Sequence, residues 1–324
     1  VDMYRIGVDL GGTRIKAAVF NAEFAVIQER SDPTEAELGP DEVISKIKKI
    51  VHDMLQQAGI AQEAILSMGV GIPGLLDPEL GLSIFSPNFP EWDHVPVVEM
   101  LKTDFHFPIY IDNDVRVNLY GEWLFGAGRG YKHVVLITLG TGLGSGIIQD
   151  GKMVYGTTSS AGEIGHMNMF REGRPCRCGS SGCLGRYASA IGMVRTFTDQ
   201  LAQGFTSIIQ DWTGGDLARI TAAMISDAYD HGDVLAKRVM QETGQILGFG
   251  LSSVINLLNP QVVIVGGGMS AAGDRLLNPV RETVGAHALR LSSSACQIIQ
   301  AELGVRAGMI GAAAYAKLRS EANG

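Results

Sequence analysis

A strand, a glycine turn and a second strand occur twice in this chain, and the repeat constrains the fold more than any other feature. In the first copy Ile6, Val8 and Leu10 alternate, Gly11-Gly12 interrupt, and Ile15, Ala17 and Val19 resume on period two. In the second, the strand 134–139 runs into Gly140-Thr141-Gly142-Leu143-Gly144, and Ile147-Ile148 resume. Aligning Leu10-Gly11 with Leu139-Gly140 separates the copies by 129 residues (140 − 11), about one domain. A duplication on that scale predicts two similar α/β units, each presenting a glycine turn. Such turns let backbone N–H groups approach an anion, and Thr13, Arg14 and Lys16 add donors and charge at the first. The first copy is not a Walker A loop, since no Gly-Lys-Ser/Thr opens a helix, and not a dinucleotide fingerprint, since a strand follows the glycines. A plain Gly-Gly hairpin turn is the alternative for that segment taken alone.

The intervening segments fit an α/β alternation. Residues 40–57 place Val43, Ile47, Ile50, Val51 and Met54 at helical spacing, with Pro40 near the start and Gly59 as the stop. A strand over 65–71 leads into GVGIPG. Gly69, Gly71 and Gly74 match GxGxxG by count, but Pro78 forbids a helix there. The strand 109–111 ends in Asp112-Asn113-Asp114, followed by a helix over 115–125. Asp114 therefore stands near a helix N-cap, where capping is one reading. A carboxylate kept ionised by the helix N-terminus and able to accept a proton is the other. Asn113 beside it offers an amide to a hydroxyl. Further helices are expected over 192–205, 216–229, 234–258 and 308–318. Strands are expected over 262–265, before Gly266-Gly267-Gly268, and over 297–301.

The run AGEIGHMNMFREGRPCRCGSSGCLGRY, residues 161–187, holds three of the four cysteines. His166, Cys176, Cys178 and Cys183 can complete a closed tetrahedral zinc site of the structural kind. A disulfide or packed free thiols are the alternatives, though a bridge between Cys176 and Cys178 would be cramped. With one ring nitrogen of His166 on zinc, the other stays available, and Glu163 beside it makes a rigid polar corner suited to hydroxyl-rich ligands. A net charge of −8 argues against a nucleic-acid or anionic-membrane surface as main partner. The first residues, VDMYRIGVDLGG, show no signal-peptide core, and no apolar run approaches the roughly 20 residues that span a bilayer. Few cysteines, mostly at metal spacing, fit a reducing cytoplasm.

Taken together, DLGGTRIK, IDNDVRVNLYGEW, LGTGLGSGI, GEIGHM and CRCGSSGCL resemble the ROK family of sugar kinases and sugar-responsive repressors, in the family's order across nearly the whole chain. The resemblance implies an α/β, two-lobed, actin-like ATPase fold of the sugar-kinase, ribonuclease H-like kind, closing on ATP and sugar. It implies an N-terminal lobe over 1–115, completed by a helix over 306–324, and a larger lobe over 116–305 carrying the zinc loop. Phosphate contacts are implied for Gly11, Gly12, Thr13 and Arg14, with Asp9 near Mg2+, and for Thr141, Gly142 and Gly144. Gly267 and Gly268 match adenosine-side positions. Asn113, Glu163 and His166 match sugar-binding positions, Gly74 a backbone contact, Asp114 the general base, and His166, Cys176, Cys178 and Cys183 the Zn2+ ligands. One position departs: the family usually has Glu two residues after the last zinc cysteine, and here stands Gly185. The expected activity is ATP-dependent phosphorylation of a hexose, glucose to glucose 6-phosphate, by a homodimer or higher homo-oligomer. Another hexose or an amino or N-acetyl sugar, and polyphosphate as donor, stay open. The alternatives of another class are a sugar-sensing regulator and a catalytically weak sugar-binding protein. No residues stand before the first strand to build a helix-turn-helix, which disfavours the regulator.

Overall fold

The computed structural model describes residues 3–86 and 89–322. The chain folds into two units. Unit 1 comprises Val1–Gly130, Met153–Ala161 and Glu302–Gly324; unit 2 comprises Tyr131–Lys152 and Gly162–Ala301.

Unit 1 begins with β1 (Tyr4–Leu10), β2 (Arg14–Phe20) and β3 (Val26–Pro33), followed by α1 (Pro40–Ala58) and β4 (Ile65–Ile72). A small antiparallel sheet of β5 (Leu75–Asp77), β6 (Leu82–Phe85) and β7 (Asp93–Val95) comes next, then α2 (Val97–Lys102), β8 (Ile109–Asn113) and α3 (Asp114–Phe125). Unit 1 therefore includes α3, which the sequence division at 115/116 gives to the larger lobe. The main sheet has the order β3-β2-β1-β4-β8. Its first three strands are antiparallel neighbours, while β4 and β8 add in parallel. This register sets Asp9, Gly71 and Asp112 side by side on three adjacent strands. The apolar face of α1, from Val43 to Leu55, is buried in the core with Ile6, Val8 and Leu10.

Unit 2 repeats the plan. Its strands are β9 (Val134–Leu139), β10 (Leu143–Gln149), β11 (Lys152–Met153) and β12 (Val262–Gly266), with β13 (Gln297–Gln300) last. The order β11-β10-β9-β12-β13 matches the first sheet strand for strand, in keeping with the two similar α/β units that the duplicated turn predicts. Its helices are α4 (Gly185–Ala188), α5 (Ala190–Ala202), α6 (Ile209–Thr213), α7 (Ala222–Asp230), α8 (Val234–Leu258), α9 (Asp274–His287) and α10 (Arg290–Ala295). The helix expected over 216–229 is two pieces. A 3-10 turn at Leu217–Arg219 ends before Thr221, whose hydroxyl accepts from the Met224 N–H at 3.2 Å and so starts α7 afresh.

The last helix, α11 (Ala307–Ala322), returns to unit 1. It approaches the sheet closely because glycine faces it. A Cβ on Gly7 or Gly69 would lie 1.8 Å from the Met309 carbonyl oxygen or 1.9 Å from that of Ala312. Among the described residues no helix is long and apolar enough to cross a membrane.

Candidate functional site

The corner between β8 and α3 is built from three consecutive polar residues. Asn113, not Asp114, is the N-cap: its Oδ1 accepts from the N–H groups of Val115 at 2.9 Å and Arg116 at 3.3 Å. Its Nδ2 donates to the Gly74 carbonyl at 3.0 Å. The amide expected to serve a hydroxyl is thus mostly engaged by the protein, with one N–H direction left. Gly74 adopts φ +99° and a Cβ there would meet the Phe85 carbonyl at 2.1 Å, so only glycine fits. Asp114 is the first helical residue and is half-buried; its Oδ1 accepts from the Val115 N–H at 3.0 Å. Behind them Asp112 is fully buried. It accepts from Arg116 Nε at 2.6 Å, Tyr155 Oη at 2.6 Å and the Asn113 N–H at 2.7 Å. Burial pushes Asp112 above the usual carboxylate range, opposed by the Arg116 charge.

The first glycine turn joins β1 to β2. Thr34 anchors it, donating its hydroxyl to the Gly11 carbonyl at 2.7 Å and its N–H to the Thr13 carbonyl at 2.9 Å. A Cβ on Gly12 would meet nothing within 4 Å, so no packing demands glycine there and the turn stands open to an incoming group. Arg14 is turned onto Ser31, through Nε at 2.7 Å to the hydroxyl and Nη2 at 2.6 Å to the carbonyl. Asp9, at the end of β1, has its carboxyl raised to about 6 by burial, with Lys16 pulling the other way.

In unit 2 the second glycine turn and the glycines after β12 share one cavity. It measures about 520 Å³, and Gly140, Thr141 and Gly268 line it together with Met193, Met240, Met269 and Arg275. Gly267, at φ +80°, lets this loop close on β9; a Cβ would fall 2.5 Å from the Leu139 carbonyl oxygen. The three methionines and neighbouring alanines give apolar walls fit for a flat ring. Gly142 is in the turn, whereas Gly144 already lies in β10, paired with Thr138 of β9; neither is among the lining residues.

The cysteine-rich loop also lies in unit 2. Ser145 of β10 binds its start, donating to the Gly162 carbonyl and accepting from the Ile164 N–H at 3.0 Å. Glu163 and His166 bracket a 3-10 turn and are both exposed. The ligand atoms of His166, Cys176, Cys178 and Cys183 lie within 4.8 Å of one another. Cys178 Sγ is 3.7 Å from Cys183 Sγ, and Cys176 Sγ is 3.7 Å from His166 Nδ1. A tetrahedron with about 2.3 Å from centre to sulfur has edges of about 3.8 Å, so the donor set fits zinc. All four cysteines of the chain are unbridged, and a disulfide needs about 2.05 Å between sulfurs. A backbone hydrogen bond at Ser180 pulls the Cys178 thiol down to about 7, while burial pushes Cys183 up to about 12.

Unit 1 therefore carries Asp9, the first glycine turn, Gly74, Asn113 and Asp114. Unit 2 carries the second turn, Gly267-Gly268, Glu163, His166 and the thiols. Sequence reasoning missed the support beneath them. Arg116 stands inside the run IDNDVRVNLYGEW but was given no role there, and Tyr155 lay in no motif, because their significance lies in burial and in a contact 39 residues apart in the chain (155 − 116).

Two sheets of the same strand order, each with a glycine turn between its first antiparallel pair of strands, define a two-unit α/β protein. The ROK family model matches residues 5–319, and the chain belongs to the ROK family. It is 33% identical over 312 residues to the glucokinase of Halalkalibacterium halodurans, covering 96% of this chain and 94% of that one. It is 30% identical over 283 residues to the xylose repressor of Caldicellulosiruptor bescii, covering 86% of this chain and 69% of the repressor. The structure of a ROK family glucokinase from Streptomyces griseus, in complex with glucose and AMPPNP, matches 97% of this chain and 99% of that one. Its TM-score is 0.81 at 31% identity.

Proposed function

We propose that this protein transfers the γ-phosphoryl group of ATP to a hexose hydroxyl, converting glucose to glucose 6-phosphate. One observation supports this reading above the others. Asp114 opens α3 next to the Asn113 cap, and its carboxylate is held at the helix N-terminus, with Oδ1 accepting from the Val115 N–H at 3.0 Å. A carboxylate there can accept the proton of the sugar hydroxyl as its oxygen attacks the γ-phosphorus and ADP leaves. Asn113, through its remaining N–H, together with Glu163, His166 and the Gly74 backbone, orients the sugar. Gly11, Gly12, Thr13 and Arg14, with Thr141, Gly142 and Gly144, receive the phosphates. The cavity at Gly267-Gly268 takes the adenosine.

Asp9 is the residue that would hold Mg2+, which supplies charge neutralisation on the phosphates when bound. His166, Cys176, Cys178 and Cys183 would hold structural Zn2+, which fixes the loop bearing Glu163. His166 Nδ1 faces the thiol cluster, leaving Nε2 for a sugar hydroxyl. A cytoplasmic homodimer or higher homo-oligomer belongs to the same reading.

The test is ADP release across hexoses, amino sugars and N-acetylated sugars, with ATP and with polyphosphate, for the parent chain and Asp114→Asn. Turnover on glucose that falls at least about a hundredfold in Asp114→Asn, with sugar binding retained, is the expected result. Near-normal turnover in a folded Asp114→Asn protein sinks the assignment of the base. Sugar binding without ADP release from the parent chain would favour the regulator or sugar-binding reading.

A further inference from the structure

Helix α3, which opens on Asp114, carries two further charges inside the protein: Arg116 is 5% exposed and Glu122 1%. Both are satisfied within unit 1, in different ways. Arg116 reaches back to Asp112 through Nε at 2.6 Å and across to the Ser159 carbonyl through Nη1 at 2.7 Å. Its guanidinium lies 4.9 Å from the Tyr155 ring centre. The Tyr155 hydroxyl donates to the second oxygen of Asp112 at 2.6 Å and stands 3.3 Å from that of Tyr120. Ser159 has φ +56°, a left-handed conformation that a residue with a Cβ keeps only where its surroundings hold it. Among the described residues Glu122 forms no ion pair. It accepts from the backbone N–H groups of Ala127 at 3.0 Å, Glu302 at 3.1 Å and Leu303 at 2.7 Å.

A buried ion pair is poor evidence for stability, because apolar side chains of similar volume commonly serve as well. What the Arg116 pair does supply is direction. Asp112 Oδ1 accepts at once from Arg116 and from the N–H of Asn113, and Asn113 in turn caps the helix whose first residue is Asp114. The bonds run without a gap from segment 153–161, through Tyr155, Arg116 and Asp112, to the backbone beneath Asn113 and Asp114.

We propose that Arg116 and Tyr155 are positioning residues, which aim the Asp114 carboxylate by fixing Asp112 and, through it, the Asn113 cap. The proposal rests on the reading of Asp114 as general base. Glu122 holds the far end of the same helix and supplies the control. Its loss should cost stability without turning the first helical turn.

The experiment compares Tyr155→Phe, Arg116→Lys and Glu122→Gln with the parent chain. The measurements are kcat, the KM values for sugar and ATP, the thermal midpoint, and amide hydrogen exchange in the peptide 109–118. Tyr155→Phe removes one hydroxyl and keeps the ring, so it is the variant least able to prevent folding. It should lower kcat about tenfold or more, leave the KM for ATP within about twofold, and speed exchange in 109–118 about tenfold. Arg116→Lys keeps the charge but not the planar two-way reach to Asp112 and Ser159, and should lose kcat in the same way. Glu122→Gln should lower the midpoint while kcat stays within about twofold of the parent. Unchanged kcat and unchanged exchange in Tyr155→Phe overturn the proposal. So does a kcat loss that tracks the midpoint equally in all three variants. If the parent chain turns over no sugar at all, the kinase reading falls. The exchange comparison then decides alone, and unchanged exchange in 109–118 overturns the positioning role.

Discussion

Gly185 opens α4, two residues after Cys183, where the resemblance leads one to expect Glu. A Cβ there would stand 3.3 Å from the Gly165 carbonyl oxygen and 3.4 Å from Leu143 Cβ, so a side chain enters once its neighbours yield a few tenths of an ångström. A hydrogen bond to a charged group contributes roughly 1.5–3 kcal/mol, so Gly185→Glu should lower the KM for glucose about ten- to a hundredfold and leave that for ATP nearly unchanged. Steady-state kinetics decides, and abolished activity on the best sugar would mean the substrate needs that space. Asp9 offers a test in pH. Its carboxyl rises from 3.8 to about 6 on folding because it is buried, so the folded state binds the extra proton between those values. Stability from this group is therefore lost as pH rises from about 4 to 6 and stays lost above. Asp9→Asn should be more stable than the parent at pH 8, by on the order of 2 kcal/mol after allowing for the side chain's partial access to water, and no more stable at pH 4. Urea unfolding at both pH values checks it. Asp114 and Asn113 show how far residue-scale reading goes. The sequence places both at a helix start, but which of two adjacent capping residues is the cap depends on the helix boundary to within one residue. Only the structure shows Asn113 spent on the cap and on Gly74.

Among elements, the cysteine-rich loop was the most legible, because thiol spacing carries its own geometry. Cys178→Ser should abolish stoichiometric zinc, measured by elemental analysis, and weaken sugar binding before the thermal midpoint falls far. Zinc-free purified protein with full activity would rule this out. The long helix α8 was legible end to end, since Asp233 caps it and Asn259, before Pro260, stops it. Strand β3 was not, for a physical reason. It reads VIQERSDP with its side chains half in water, so no apolar alternation announces it. Helix α9 was hidden by Pro279, a breaker in isolation. In the fold its ring packs where a Cβ of Gly244 would sit, 2.6 Å away, so tertiary contact with α8 outweighs the local rule.

At the scale of the molecule, the repeated turn announced two similar α/β units; that their sheets share one strand order is read from the structure. The close seat of α11 was legible only as a run of small residues. What makes it work is glycine on the opposing surfaces, Gly7 and Gly69 on the sheet and Gly121 on α3. Gly69→Ala would drive a methyl against the Ala312 carbonyl and should cost roughly 3 kcal/mol, read from the denaturant midpoint; a loss below about 0.5 kcal/mol would show that α11 can slide. The same seat sets an order of events during synthesis. Ala18 and Phe20 bury their side chains against Met309 and Ala313. Between the end of α3 and the start of α11 the ribosome must add 182 residues (307 − 125), most of them unit 2. At about 5–20 residues per second that is on the order of ten to forty seconds. For that interval the nascent chain carries a formed or half-formed sheet with one face bare. The first unit to be translated is thus the last to be completed.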